Sequence, residues 1–430
     1  MRSIVINALI ITVNSKQEIF KDGCMIFEDD IITYVGNKVE VDSNIDNVID
    51  AKGNIIIPGL INTHGHSPMT LLRGYADDLS LQEWLEKKIW PIESKFKEEE
   101  IAWGSQLAII EMLKNGITTF SDMYIYMDAV AENVLKAGIR ATLSRSIIEN
   151  GNEEEKRQKL KEAAIFTKNW NNKADGRITT MMAPHSIYTC SSNYIKEIVN
   201  IAKDLGVPIQ MHIAENDFEV KKSFEDYGYS PIKHLESLGV FDNPTLVAHA
   251  VITDTDDLNI LKNNNVNVSH NLGSNLKLGS GIACINEMLE LGICVSLGTD
   301  GAASNNNLDI IEEMRLAALI HKGYNKNPKL IPAETSLKMG TIYGAKSLFL
   351  EHLTGSLEIG KKADFVIIDT NQAHFYPMFN PVSQIVYSAS GHDINDVFIN
   401  GVQVIKNKEI LTLDEEKIYS EVKKVTKNWK

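Results

Sequence analysis

His64 and His66 stand two residues apart at the end of the apolar run 55–61, which reads Ile-Ile-Ile-Pro-Gly-Leu-Ile. Residues i and i+2 of a strand share a face, so both imidazoles point the same way at a strand terminus. His212 and Asp300 close two later apolar runs in the same manner. Nitrogen and oxygen donors from separate strands suit a borderline divalent cation, with zinc favoured over iron or manganese. The minimal ligand set is therefore His64, His66, His212 and Asp300, one metal per chain, with a water on the open position. Such a cation lowers the pKa of its water to about 7, which supplies hydroxide for a hydrolysis. Glu215, three residues beyond His212, is a candidate general acid, and His249 is placed to accept the proton that the water gives up.

These side chains lie far apart in the chain, so a scaffold must gather them. Short apolar runs at 55–63, 117–121, 140–144, 177–183, 208–213, 245–248, 266–269 and 294–298 read as strands. Helical stretches such as 99–114, 154–170, 192–205 and 308–321 follow them. Eight strand-then-helix units imply a parallel sheet and match an α/β fold of the (β/α)8 TIM barrel type. An open doubly wound sheet is the alternative, but no glycine-rich dinucleotide fingerprint follows any of these strands. The strand ends carry His64 and His66, Asp122, Arg145, His185, His212 with Glu215, His249, His270 and Asp300. Barrel enzymes place their catalytic groups at that end.

Residues 3–50 alternate β-rich runs with turns, and the texture returns at 364–369 and 397–404. The expected organisation is a small β-sandwich domain built from both termini, 1–57 and 355–430, around a metal-dependent barrel hydrolase domain, 58–354. The formal net charge of -14 disfavours nucleic acid as partner and leaves a small molecule. Four cysteines without a Cys-x-x-Cys pair suggest a reduced, cytoplasmic protein. The run 5–13 reads as a strand and not a signal segment, and no apolar stretch is long enough for a membrane span.

The string 58–66, Pro-Gly-Leu-Ile-Asn-Thr-His-Gly-His, resembles the first metal motif of the amidohydrolase superfamily. Met211 to Glu215, Ala248-His249 and the run 298–305 resemble its later motifs in the mononuclear aminohydrolases. The segment 355–366 is similar to the return into the small sheet domain. Within that branch the loop 69–85 and Trp90-Pro91-Ile92-Glu93 resemble the 5-methylthioadenosine/S-adenosylhomocysteine deaminases. The resemblance implies hydrolytic deamination of 5'-substituted adenosines, including 5'-deoxyadenosine or adenosine itself. Metal-bound hydroxide would attack C6 while Glu215 protonates a ring nitrogen and His249 with Asp300 relays a proton to departing ammonia.

The resemblance also implies that Glu93 holds ribose hydroxyls and that Arg145, Arg157 and His185 contact substrate, with Glu215 and Asp300 at the purine. Trp84 and Trp90 would wall the site. Carboxylates accept from vicinal hydroxyls, and arginines fork onto carboxylates, so these roles are chemically sensible. A related enzyme acting on guanine, a triazine or another aromatic amine or halide is the alternative. The chain departs from the family pattern after strand seven, where His270-Asn271-Leu272 replaces an expected His-Asn-Pro. Loss of that proline is expected to loosen the loop beside the adenine position. A homo-oligomer fits this architecture, although no stripe of residues marks an interface.

Overall fold

The apolar run 55–63 divides at Gly59. In the computed structural model, which describes residues 1–41 and 43–429, Ile55–Pro58 pairs with strands of the terminal sheet, whereas Leu60–Asn62 begins the barrel. A Cβ on Gly59 would come 2.0 Å from Thr118 Oγ1, so only glycine lets the chain pass between the two layers. A continuous apolar run gives no sign of this switch, because both halves are equally buried.

From Leu60–Asn62 the parallel strands run in chain order through Ile117–Tyr124, Arg140–Ile147, Ile178–Thr180 with Ala183–Pro184, Ile209–Ile213, Thr245–His249, Asn267–His270 and Val295–Leu297. A bridge between Met182 and Ile209 joins the two arcs. The cylinder closes where Thr63 N donates to Leu297 O and Asp300 N donates to His64 O, each at 3.0 Å. Ile117–Tyr124, Ile209–Ile213 and Thr245–His249 are buried along their whole length, as expected for a sheet covered on both faces.

The outer helices explain themselves locally. Ser192–Leu205 starts behind Ser191, whose hydroxyl accepts from Tyr194 N. Its buried residues Tyr194, Ile195, Ile198, Val199 and Ala202 recur at helical spacing and face the strands. The helix Glu153–Trp170 is capped by Asn152 and covers the third strand.

Both termini build one sheet of nine strands. Arg2–Ile11, Ile19–Glu28 and Ile31–Asn37 lie on one side of Ile55–Pro58, and Phe365–Ile368, Ile394–Ile399 and Val402–Lys406 on the other. The turn at Gly401 packs against the turn at Asp29, where a Cβ on Gly401 would lie 2.1 Å from the carbonyl oxygen of Asp29. Val5, Ile10, Met25, Ile56 and stacked Phe365 and Phe398 fill the interior of the resulting small β-sandwich. Arg140 at the start of the third barrel strand joins the two units, its Nε and Nη2 donating to Asp364 Oδ2 at 2.9 and 2.8 Å with both side chains buried. The four cysteines are free, and among the described residues no helix is long and apolar enough to cross a membrane.

Candidate active site

Strand ends bring His64, His66, His212 and Asp300 to one mouth of the barrel. Asp300 Oδ1 lies 3.4 Å from His64 Nε2 and 3.2 Å from His66 Nε2. His212 Nε2 and His66 Nε2 are 3.2 Å apart. The far nitrogens settle the tautomers: His66 Nδ1 lies 2.7 Å from Met123 O, and His212 Nδ1 2.9 Å from His185 O. A carbonyl only accepts, so each Nδ1 carries its proton and each neutral ring turns a lone pair inward from Nε2. His64 Nε2 is buried with no hydrogen-bond partner. Lone pairs converging like this repel unless positive charge lies among them. A proton is one remedy: burial pushes the pKa of His66 down, yet the Asp300 hydrogen bond overrides it and raises it to about 9. A divalent cation is the better match, because the ligand atoms of His64, His66 and His212, and those of His64, His249 and Asp300, fall within 4.8 Å of one another.

The supporting groups fix these donors. Asp300 Oδ2 accepts from Ser274 Oγ at 2.7 Å and Ser304 Oγ at 2.8 Å, which leaves Oδ1 aimed at the histidines. His249 Nδ1 lies 2.8 Å from Asn275 Oδ1, so its Nε2 faces the same centre. Asp300 and His249 adopt left-handed backbone, with φ of 61° and 76°. Such conformations cost about 1–3 kcal/mol in a non-glycine residue and gather at active sites, where the surroundings hold them.

Glu215 sits 3.9 Å from His249 Nδ1, and its backbone N–H donates to Glu219 Oε2. Burial raises the pKa of Glu215, with His249 opposing, so the carboxyl tends to keep its proton. Above these groups opens a cavity whose wall also carries Met69, Leu81, Ile125, Tyr188 and Leu278. Glu93 lies in its wall, accepting from the Tyr124 hydroxyl, and burial raises its pKa. Trp84 and Trp90 line it, Trp84 being held by its Nε1–H bond to Ala76 O. His185 also lines it, and burial pushes its pKa down to about 3, so the ring is neutral.

Other expected residues lie elsewhere. Arg145 is ion-paired with Glu162 of the surrounding helix and does not line the cavity. Arg157 is exposed on that same helix. Asp122 accepts from Ser67 N and Oγ, bracing the segment after His66. His270 pairs with His321, their Nε2 atoms 3.2 Å apart. At the departure from the family pattern, Leu272–Lys277 forms a short helix, and Leu272 is fully buried. Sequence reasoning missed the roles of Ser274, Asn275 and Ser304, although Ser274 and Asn275 follow the seventh strand by only four and five residues.

The amidohydrolase family pattern matches residues 55–404. The chain is 46% identical over 428 residues to the 5-methylthioadenosine/S-adenosylhomocysteine deaminase of Thermoanaerobacter pseudethanolicus, covering 100% of this chain and 99% of that one. It is 45% identical over 420 residues to the 5'-deoxyadenosine deaminase of Methanosarcina acetivorans, covering 98% and 96%. Among solved structures, an adenosine deaminase from Xanthomonas campestris with bound zinc superposes with a TM-score of 0.92 at 29% identity, over 98% of this chain and 97% of that one.

Proposed function

The chain belongs to the amidohydrolase family, and from that premise we propose that it hydrolytically deaminates 5'-substituted adenosines to the inosine analogue and ammonia. The observation that carries the reading is the convergence of His64, His66, His212 and Asp300 beneath a cavity that also holds the buried acids Glu93 and Glu215. The four ligands would hold one divalent cation, zinc in the first instance as in the Xanthomonas neighbour, and when bound it makes a water acidic enough to attack near neutral pH.

The chain's own residues direct the rest. Glu215, whose pKa burial raises, gives a proton to N1 of the purine, which draws electrons from C6 as the C6–O bond forms. His249, with Nε2 free because Asn275 holds the opposite nitrogen, takes the proton released by the water. Asp300, oriented by two serine hydroxyls, assists its passage to the amino nitrogen, and the remaining proton on the C6 oxygen returns to Glu215 as the C6=O bond forms and the C6–N6 bond breaks with ammonia leaving. Glu93 accepts from the ribose hydroxyls, and neutral His185 and the Trp84 face confine the nucleoside.

Incubation of the zinc-loaded protein with 5-methylthioadenosine, 5'-deoxyadenosine and adenosine should shift the ultraviolet spectrum from adenine to hypoxanthine. Silence on all three removes the proposal. Glu215→Gln should lower kcat by about 10²–10⁴-fold. Glu93→Gln should raise KM for nucleosides, and an unaffected Glu93→Gln enzyme would instead favour a free base or another aromatic amine as substrate.

A further inference from the structure

Glu93 ends a helical run made of Leu81–Trp84, the π turn Leu85–Ile89 and Trp90–Glu93. A π turn is a place where a helix bends, so the direction of the last turn is set by what packs on it. On one side the Tyr124 hydroxyl donates to the Glu93 carboxylate. On the other the chain continues to Phe96, whose backbone N–H donates to Glu93 O at 2.9 Å. Phe96 is 5% exposed, and its ring stacks on that of Trp429 with centroids 5.0 Å apart and planes at 23°. Trp429 follows the helix Glu415–Val425, which leaves the terminal sheet after Glu409–Ile410 and packs along the barrel helix Glu98–Lys114. Lys114 Nζ anchors it there by donating to Glu415 Oε1 and Oε2 at 2.5 and 2.7 Å. Trp429 N in turn donates to Thr426 O at 3.2 Å, which holds the indole close to the helix end.

From this arrangement we infer that Trp429, contributed by the terminal unit and not by the barrel, is a positioning residue for nucleoside binding. Stacked on Phe96, it fixes the end of the helical run and with it the place of Glu93 in the cavity wall. The inference rests on the deaminase reading above, in which Glu93 accepts from the ribose hydroxyls, and extends it to a residue that touches no substrate. Neither Phe96 nor Trp429 lines the cavity. Two hydroxyls bond one carboxylate well only when both oxygens lie at hydrogen-bond distance, so a small shift of the run weakens both bonds together. The ribose takes no part in the change at C6. Its loss of binding is therefore equal in the ground and transition states, which raises KM and leaves kcat.

Steady-state kinetics of the zinc-loaded protein on 5-methylthioadenosine test this directly. Trp429→Ala should raise KM about fivefold, the worth of one aromatic stack, with kcat and bound zinc unchanged. Phe96→Leu, which breaks the stack from the other side while keeping an apolar side chain, should reproduce that rise. Trp429→Phe, which keeps a ring against Phe96, should restore most of the affinity. In a Glu93→Ala background, Trp429→Ala should add less than about twofold, because the contact that it protects is already gone. An unchanged KM in Trp429→Ala, a fall in kcat in place of a rise in KM, or an equal KM ratio with and without Glu93 overturns this inference and leaves the deaminase reading standing. Absence of turnover by the unmodified protein on 5-methylthioadenosine, 5'-deoxyadenosine and adenosine overturns that reading and this inference with it.

Discussion

Asn275 holds its side-chain oxygen 2.8 Å from Nδ1 of His249, and both side chains are buried. Because the amide oxygen only accepts, His249 must carry its proton on Nδ1 and present Nε2 to the metal ligands. Asn275→Ala should therefore lower kcat by about 10–100-fold, while KM moves less than about threefold and bound metal is unchanged. Asn275→Asp, which retains an acceptor, should recover most of the loss. Equal losses in both variants would show that Asn275 merely packs.

The Arg140–Asp364 pair ties the barrel to the terminal sheet, and Asp364 Oδ1 also accepts from Asn400 N at 2.7 Å. Removing one member leaves the other charge buried without a partner. Asp364→Ala should cost about 3–5 kcal/mol in chemical denaturation, and a double variant with Arg140→Met should recover part of it. Additive losses would mean that the two groups are not coupled.

Stability should fall as pH rises through the neutral range. Glu313 is buried beneath the helix 272–277, where it accepts from Gly273 N and Asn305 Nδ2. Burial lifts its pKa from the ordinary 4.5 to about 8 in the folded protein, against the pull of those two donors. Between those values the native state holds the proton and the unfolded state does not, so each step up in pH favours unfolding. Glu313→Gln should remove a pH-dependent contribution that, on these values, amounts to about 3–4 kcal/mol between pH 5 and 8. Denaturant midpoints at pH 5, 6.5 and 8 measure it; an unchanged slope rules out Glu313 as a contributor.

Chelation should destabilise the fold as well as silence it. The cluster of His64, His66, His212 and Asp300 follows the first, fifth and eighth barrel strands, so a cation held there would crosslink distant parts of the chain. Zinc at about 100 times its Kd contributes about 2.7 kcal/mol. The thermal midpoint should drop after dialysis against a chelator and return with zinc but not with magnesium, whose octahedral oxygen preference these imidazoles do not meet. A midpoint indifferent to chelator would argue that the cluster holds no ion.

Part of the site was legible locally: His64 and His66 close the first apolar run, although the strand stops at Asn62 and both stand in the segment beyond it, and Glu215 lies just past the strand that ends at Ile213. Arg145 shows the limit of that reasoning. Its position at a strand end was legible, but whether it turned inward depended on Ser144 and Ser146 facing the barrel and on Glu162 arriving from a helix 17 residues away. Leu272 is a second instance, since the missing proline suggested a loose loop. Burial of its side chain and the bonds made by Ser274 and Asn275 hold a helix there.

The amino-acid order alone carried the alternating elements and the candidate donors His64, His66, His212 and Asp300, because periodicity and residue chemistry are properties of neighbours along the chain, while the reaction class came from the resemblance of its motifs to a family. Only the tertiary structure decided that Ile55–Pro58 leaves the barrel at Gly59, that Asn275 sets the face of His249, and that Arg145 lies outside the cavity. Each of these turns on contacts between segments distant in sequence, where packing and hydrogen-bond geometry choose among conformations that the local residues permit equally.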